Sequence, residues 1–252
     1  MTPRDQPVAG STPFVVLTTQ RSGSVLLVQA IQSHPDMFCF HEMLRPKIRN
    51  DQSLRAYLAP SLPRRVGRFV RPYATTKGYL DQLFATRDER AVGFKLMYNQ
   101  LRRHPELWLM FRRGELKVVH LVRSNILHTE VSAVRAKVTG EFHARGEARP
   151  SADLIEIPTA DLVERLERRD RSIARHRRRL RSIPHLELGY DDLVDRRDEV
   201  SQQVCGFLGV EPMVLVTDHT KVTPSDLSRV IANYDDVARH LEKTRFAHLL
   251  EG

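Results

Sequence analysis

Apolar residues along the chain fall into two rhythms. Short continuous runs occur at residues 14–19, 37–41, 91–96, 116–122 and 185–189, each of a length suited to a strand covered on both faces of a parallel sheet. Between them apolar positions recur at helical spacing, near 23–33, 98–110, 124–138, 159–182 and 196–208. In the first of these helices Val25, Leu26, Leu27, Ala30 and Ile31 carry the stripe. Strands alternating with helices predict an α/β fold, a parallel sheet flanked by helices in three layers. Two stretches break both rhythms: residues 43–90, with Pro46, Pro60, Pro63 and Pro72, and residues 139–158, with Gly140, Gly146, Pro150 and Pro158. Connections of this kind form walls and lids beyond the carboxyl ends of parallel strands, so both are expected to border any ligand site.

The junction of the first strand with the first helix carries the most chemistry. Phe14-Val15-Val16-Leu17 runs through Thr18, Thr19 and Gln20 into Arg21-Ser22-Gly23-Ser24, and Val25 opens the helix. The first N–H groups of a helix lack intrahelical acceptors and sit at the positive end of its dipole, which makes the turn an anion site. Gly23 permits close approach of backbone, Ser22 and Ser24 add hydroxyls, and Arg21 adds a permanent forked cation. Simple N-capping by Ser22 or Ser24 uses the same free N–H groups. The Gly-x-x-x-x-Gly-Lys-Ser/Thr motif of nucleotide kinases is absent from the sequence.

A length of 252 residues with 41% hydrophobic content fits one domain spanning 1–252, the first dozen residues forming a flexible tail. Cys39 and Cys205 lie in apolar runs without metal-ligand spacing, which points to buried thiols in a reducing compartment. No run approaches the ~20 apolar residues needed to span a bilayer, and Pro3, Asp5 and Pro7 interrupt the N-terminus where a secretory signal would be apolar. A cytoplasmic location is expected. The formal net charge is +9, and much of the excess lies between Asp161 and Arg181, with nine arginines against four acids. The pairs Asp161/Arg165, Glu164/Arg168 and Glu167/Arg171 fit a solvated helix face. Steering of an anionic ligand is the other use of such charge, whereas no nucleic-acid-binding signature accompanies it.

Four blocks in order carry a family resemblance. Thr19-Gln20-Arg21-Ser22-Gly23-Ser24-Val25-Leu26-Leu27 resembles the 5'-phosphosulfate loop of sulfotransferases that use 3'-phosphoadenosine 5'-phosphosulfate (PAPS). Gly93-Phe94-Lys95-Leu96-Met97-Tyr98-Asn99-Gln100 is similar to a block of bacterial carbohydrate sulfotransferases, the group that includes trehalose and Nod-factor sulfotransferases. Leu121-Val122-Arg123 with Asn125, Leu127 and Ser132 resembles the 3'-phosphate signature. Leu188-Gly189-Tyr190-Asp191-Asp192-Leu193, followed by Phe207-Leu208-Gly209, resembles a late pair of motifs. Ser228 to Tyr234 extends the likeness.

The resemblance implies a P-loop-like sulfotransferase fold, PAPS as donor, adenosine 3',5'-bisphosphate (PAP) as product, no metal, and a small-molecule hydroxyl acceptor. Gln20, Arg21, Ser22, Gly23, Ser24 and Val25 are then donor-binding, with Arg123 and Ser132 on the 3'-phosphate, and Lys221 precedes a segment that folds over the nucleotide. Arg21 is the expected electrostatic partner of the leaving phosphate. Glu42, at the end of the second strand, is the leading general base, with His41 its rival; neighbours on an extended strand face opposite ways, so at most one can face the acceptor. Both could instead merely hydrogen-bond the loop that follows. Lys95 is expected near the sulfuryl group, with Asn99 and Gln100 lining the pocket, while Tyr190, Asp191 and Asp192 are read as fixing the last strand. The competing readings are a small-molecule kinase of related fold and a non-catalytic anion- or nucleic-acid-binding protein.

Overall fold

Five strands stand where the apolar runs predict them. The computed structural model describes residues 10–46, 50–139, 154–217 and 226–250. In chain order the elements are β1 (Thr12–Thr18), α1 (Ser24–Gln32), β2 (Met37–Phe40), α2 (Leu54–Leu58), α3 (Leu62–Val70), α4 (Pro72–Phe84), β3 (Ala91–Met97), α5 (Tyr98–Arg103), α6 (Leu107–Arg112), β4 (Lys117–Val122), α7 (Ile126–Thr139), α8 (Leu162–Leu180), β5 (His185–Gly189), α9 (Tyr190–Asp195), α10 (Arg197–Leu208) and α11 (Tyr234–Leu241), with short 3-10 turns at Leu227–Arg229 and Ala247–Leu250. The sheet order is β2-β3-β1-β4-β5 and every pairing is parallel.

The alternation of side chains along each strand divides the core into two layers. Val15, Leu17, Phe94, Leu96 and Val118 pack with Leu80 of α4, Leu101 of α5, Leu127 of α7 and Leu166 of α8. Phe14, Val16, Cys39, Val119, Leu121 and Leu188 pack on the opposite face with Leu27 and Ile31 of α1 and Val204 and Leu208 of α10. The chain therefore leaves β1 toward one face, and leaves its neighbours β3 and β4 toward the other. Such a reversal opens a crevice at the carboxyl end of the sheet, beside β1.

Two expectations need correction. The helical pattern over 98–110 is two helices, because Pro105 forces His104 out of helical geometry (φ −126°, ψ 62°) and separates α5 from α6. Residues 43–90, which lack clean periodicity, fold into α2, α3 and α4. Pro63 and Pro72 occupy the first turns of α3 and α4, where a missing N–H removes no helical bond, so these prolines start helices rather than break them.

The arginine-rich segment forms α8. Arg165, Arg168 and Arg171 pair with Asp161, Glu164 and Glu167, and both Arg165 and Arg169 reach Glu130 of α7, at 2.9 and 2.7 Å. Cys39 and Cys205 are buried free thiols, and burial pushes the Cys39 thiol up. Beneath the crevice lies a polar chain that was not legible in the sequence. Tyr98 Oη lies 2.5 Å from His120 Nε2, His120 Nδ1 lies 3.0 Å from Glu187, and Glu187 lies 2.8 Å from Arg177. A neutral His120 accepting from Tyr98 and donating to Glu187 satisfies all these groups. Its hydrogen bond and Arg177 hold Glu187 down at about 2, while burial pulls His120 below its usual value. His176 of α8 stacks on Tyr98 with ring centroids 3.7 Å apart.

Candidate functional site

The turn after β1 is tied to the sheet by hydroxyls. Thr18, buried at the strand end, donates to the Leu121 carbonyl of β4 at 2.9 Å and shares a hydrogen bond with Ser22 Oγ. Ser22 Oγ also lies 2.8 Å from the Thr19 carbonyl, and its single proton goes either to that carbonyl or to Thr18 Oγ1. It thus braces the turn and does not cap the helix. Arg21 has φ 65° and Gly23 has φ 83°, both left-handed, a conformation that costs a non-glycine residue roughly 1–2 kcal/mol. Gly23 is the N-cap of α1, and among the described residues no side chain accepts from the first-turn N–H groups. Ser24 is buried, Val25 is half-buried and Gln20 is exposed. The result is a helix end whose donors remain available to an anion.

Two arginines approach this turn from different strands. Arg21 Nε donates to Ser132 Oγ of α7 at 2.9 Å. Arg123, the residue after β4, is buried with its guanidinium 4.4 Å from the centre of the Tyr190 ring. Its Nε has no hydrogen-bond partner among the described residues. Burial lowers the pKa of both guanidinium groups, and the field of Arg21 acts on Arg123 in the same direction. Both stay charged at neutral pH. A buried cation with an orphaned donor beside a second cation is unfavourable alone, and an anion bound between them would offset that. The observed donors therefore fit a phosphate-bearing ligand.

Tyr190 belongs to the site, beyond the role of fixing the last strand. Its ring lies so close to Gly23 that an added Cβ there would sit 2.1 Å from Tyr190 Cδ2. The close approach that Gly23 permits is therefore that of an aromatic ring, and Arg123 stacks on the same ring. The clue in the sequence was the position of Tyr190 immediately after β5, at the same sheet end as the turn. Ser132 and Arg123, expected to share one phosphate, reach the crevice separately, Ser132 through Arg21 and Arg123 through Tyr190.

On the β3 side of the crevice stands a second cluster. Glu42 Oε1 lies 3.3 Å from Lys95 Nζ, and Gln100 donates to Glu42 Oε2 at 2.7 Å. Lys95 is buried on β3, and Gln100 at the start of α5 also accepts from the Met97 N–H at 3.2 Å. Asn99 is exposed, so Gln100 alone of that amide pair joins the cluster. The opposite-facing argument for His41 and Glu42 does not apply, because β2 ends at Phe40 and the Met43 N–H closes a tight turn onto the His41 carbonyl at 2.8 Å. His41 is exposed at that turn while Glu42 is held in place by two partners. A carboxylate with one fixed cation and one fixed amide has a defined orientation, with lone pairs left to take a proton.

Beyond Glu42 a cavity of about 510 Å³ is lined by Leu44, Arg45, Leu58, Arg65, Arg68 and Arg103, among others. Leu44, Arg45 and Pro46 of this lining follow Glu42 directly in the chain, which links the cavity to the carboxylate. Most of the other expected wall, residues 140–153, and the predicted donor residue Lys221 lie outside the described residues. The following segment is anchored: Ile155 bridges Ile231 in parallel, and the Ile157 N–H donates to Asn233 Oδ1 at 2.9 Å. Among the described residues no group of three His, Cys, Asp or Glu side chains is placed to hold a metal ion.

The profile of the sulfotransferase family matches residues 13–213, which takes in all five strands, the Arg21 turn, Glu42, Lys95, Arg123 and Tyr190. The chain belongs to that family. Among solved structures it is similar to a sulfotransferase from Alicyclobacillus acidocaldarius, with 16% identity, a TM-score of 0.50 and coverage of 96% of this chain and 97% of that one. It also matches the sulfotransferase domain of the Synechococcus PCC 7002 olefin synthase at 18% identity, TM-score 0.40, covering 98% of this chain and 89% of that one. The sulfotransferase domain from the curacin biosynthetic pathway matches at 19% identity, TM-score 0.46, with coverage of 96% and 89%. No curated protein sequence matches. At these identities the Alicyclobacillus likeness bears on the fold alone, in agreement with the parallel sheet and its flanking helices.

Proposed function

We propose that the chain transfers a sulfuryl group from PAPS to a hydroxyl of a carbohydrate, glycolipid or natural-product acceptor. The observation that carries the reading is the convergence of Arg21, Arg123 and the open end of α1 on one crevice, with an orphaned donor at Arg123 and a fixed carboxylate at Glu42 on its other side. When bound, PAPS supplies the activated sulfuryl group, and PAP is the second product. Arg21, Ser22, Gly23, Ser24 and Val25 hold the 5' end through the Arg21 guanidinium, their backbone N–H groups and the Ser24 hydroxyl, with Gln20 at the solvent edge. Arg123 holds the 3'-phosphate and Ser132 steadies Arg21. A guanidinium cannot serve as an acid at neutral pH, so Arg21 acts by charge and hydrogen bonding where negative charge grows.

Glu42 takes the acceptor's proton, since an alcohol is a weak nucleophile until that proton leaves. Gln100 and Lys95 keep the carboxylate aimed, and Lys95 adds positive charge near the transferred group. His41, exposed beyond the strand end, is the secondary candidate for the base. The reading is tested by incubating the protein and PAPS with a metabolite extract and searching by mass spectrometry for sulfated products. Products that require both protein and PAPS support it. Phosphorylated products formed with ATP and magnesium, and none with PAPS, would transfer the assignment to a kinase.

A further inference from the structure

Helix α3 is amphipathic in the reverse sense for a surface helix. Arg64 donates to the Tyr57 carbonyl at 3.2 Å and lies 4.1 Å over the Tyr57 ring. Arg68 donates to the Arg103 carbonyl at 2.9 Å and lies 3.4 Å from Glu106. The arginine face thus holds the helix to the protein. Leu62, Val66, Phe69 and Val70, at positions i, i+4, i+7 and i+8, form the opposite stripe and face solvent, with Phe69 87% and Val70 70% exposed. A helix of a soluble protein ordinarily buries that stripe. Arg65 and Arg71 are exposed at the margins of the stripe.

We infer that α3 seats on an anionic bilayer surface, its apolar stripe among the acyl chains and its marginal arginines among the headgroups, and that the acceptor is a lipid-borne hydroxyl compound drawn from that surface. The inference rests on the function proposed above. Charge decides the occupant: of the six basic residues between Gln52 and Leu80, Arg68 pairs with Glu106 and Lys77 with Asp81, whereas Arg55, Arg64, Arg65 and Arg71 have no ion-pair partner among the described residues, which leaves the face net positive. A two-fold dimer would bring this patch against itself and set like charges face to face, whereas an anionic surface complements it. The helix also borders the site. Arg65 and Arg68 line the cavity whose other wall, Leu44, Arg45 and Pro46, follows Glu42 directly. A protein seated on α3 thereby brings that cavity close to the lipid surface. Among the described residues no helix is long and apolar enough to cross a membrane.

The test is co-sedimentation of the full-length protein with vesicles of phosphatidylcholine alone or mixed with phosphatidylglycerol, with soluble glycerol phosphate as competitor. Binding is expected to be at least about tenfold stronger to the anionic vesicles, to weaken as salt rises, and to resist the competitor, because a free headgroup offers nothing to the apolar stripe. The doublet Val66→Asp/Phe69→Asp should lose about tenfold or more while keeping its melting temperature and its PAP affinity. Phe69→Trp should bind as the wild type does and gain blue-shifted fluorescence on vesicles. Equal binding by the doublet, no binding by the wild type, or full displacement by glycerol phosphate would overturn the inference. So would a concentration-dependent dimer that the doublet abolishes, which would give the face to a second copy. Failure to dock with PAPS-dependent transfer intact sinks this inference alone, and docking without PAP binding or transfer sinks the functional reading and the lipid-borne acceptor with it, leaving the membrane seat of α3 in place.

Discussion

The Arg21 turn and the wall built by α2, α3 and α4 both border the carboxyl ends of the strands, yet they are specified in different ways. In the turn the side chains are held by specific partners while the helix N–H groups stay open: Thr18 and Ser22 bond each other, Gly23 receives the Tyr190 ring, and Arg21 reaches Ser132. In the wall the residues facing the cavity are mostly long arginines and aliphatic side chains, and α3 buries none of its residues. The turn is fixed by contacts among its own side chains and Tyr190, whereas the arginines that face the cavity can change without disturbing the sheet, which the wall meets through buried Leu80 and Leu83. A family can thus hold its donor chemistry constant and vary the acceptor.

If that contrast is right, substitutions beside the strand ends should act on donor affinity or turnover whatever the acceptor, and substitutions in the wall should act on acceptor affinity alone. The largest effect is expected at Glu42→Gln, nearly isosteric but unable to take the proton, which should lower turnover about 100- to 10,000-fold with PAP affinity unchanged. His41→Asn should change turnover little. Steady-state kinetics at saturating PAPS check both, and the reverse ranking would hand the base to His41. Next comes Gly23→Ala. The left-handed backbone costs it about 1–2 kcal/mol and the Tyr190 ring must shift, so PAP affinity should fall at least about tenfold. Unchanged affinity would mean that the ring packing does not shape the turn.

The prolines explain why the wall was hard to read. Pro63 and Pro72 look like breaks in a stretch of scattered aromatics and arginines, and α3 turns its apolar stripe outward, so no stripe pointed toward a core. The strand ends were legible because a buried run followed by turn chemistry leaves few options. Phe14 to Leu17, Met37 to Phe40 and Leu116 to Val122 place Arg21, Glu42 and Arg123 at one sheet edge from the sequence pattern alone. What spacing could not give was side-chain partnership across the chain. Nothing in the sequence says that Ser132 meets Arg21, that Gln100 meets Glu42, or that Tyr190 lies on Gly23.

A smaller effect should mark the wall itself. Arg45→Ala, at the cavity lining just beyond Glu42, should raise the acceptor KM up to about tenfold for an anionic acceptor and leave the PAPS KM and kcat in place. A fall in kcat of similar size for every acceptor would erase the division between turn and wall.

Acid stability sharpens the comparison from beneath the site. Burial pulls His176 down to about 4 and lowers His120, so between about pH 6.5 and pH 4 the unfolded chain binds protons that the folded chain refuses. Stability is then full near neutrality and is lost as pH falls through that window, by roughly 1–3 kcal/mol. Melting temperatures from pH 7.5 to 4.5 should show the decline, and His176→Phe, which keeps the stack on Tyr98, should flatten it. An unchanged slope in that variant would place the sensitive group elsewhere.

The central claim is that Arg21, Arg123 and the end of α1 form a cradle for a 3',5'-bisphosphate, and calorimetric titration with PAP and with ATP, each with and without EDTA, tests it most directly. PAP should bind without magnesium and at least about tenfold more tightly than ATP, and Arg123→Ala should remove about 10- to 100-fold of the PAP affinity, the worth of a charge-assisted pair. Equal affinity for the two nucleotides, a requirement for magnesium, or an Arg123→Ala variant that binds PAP as the wild type does would contradict it.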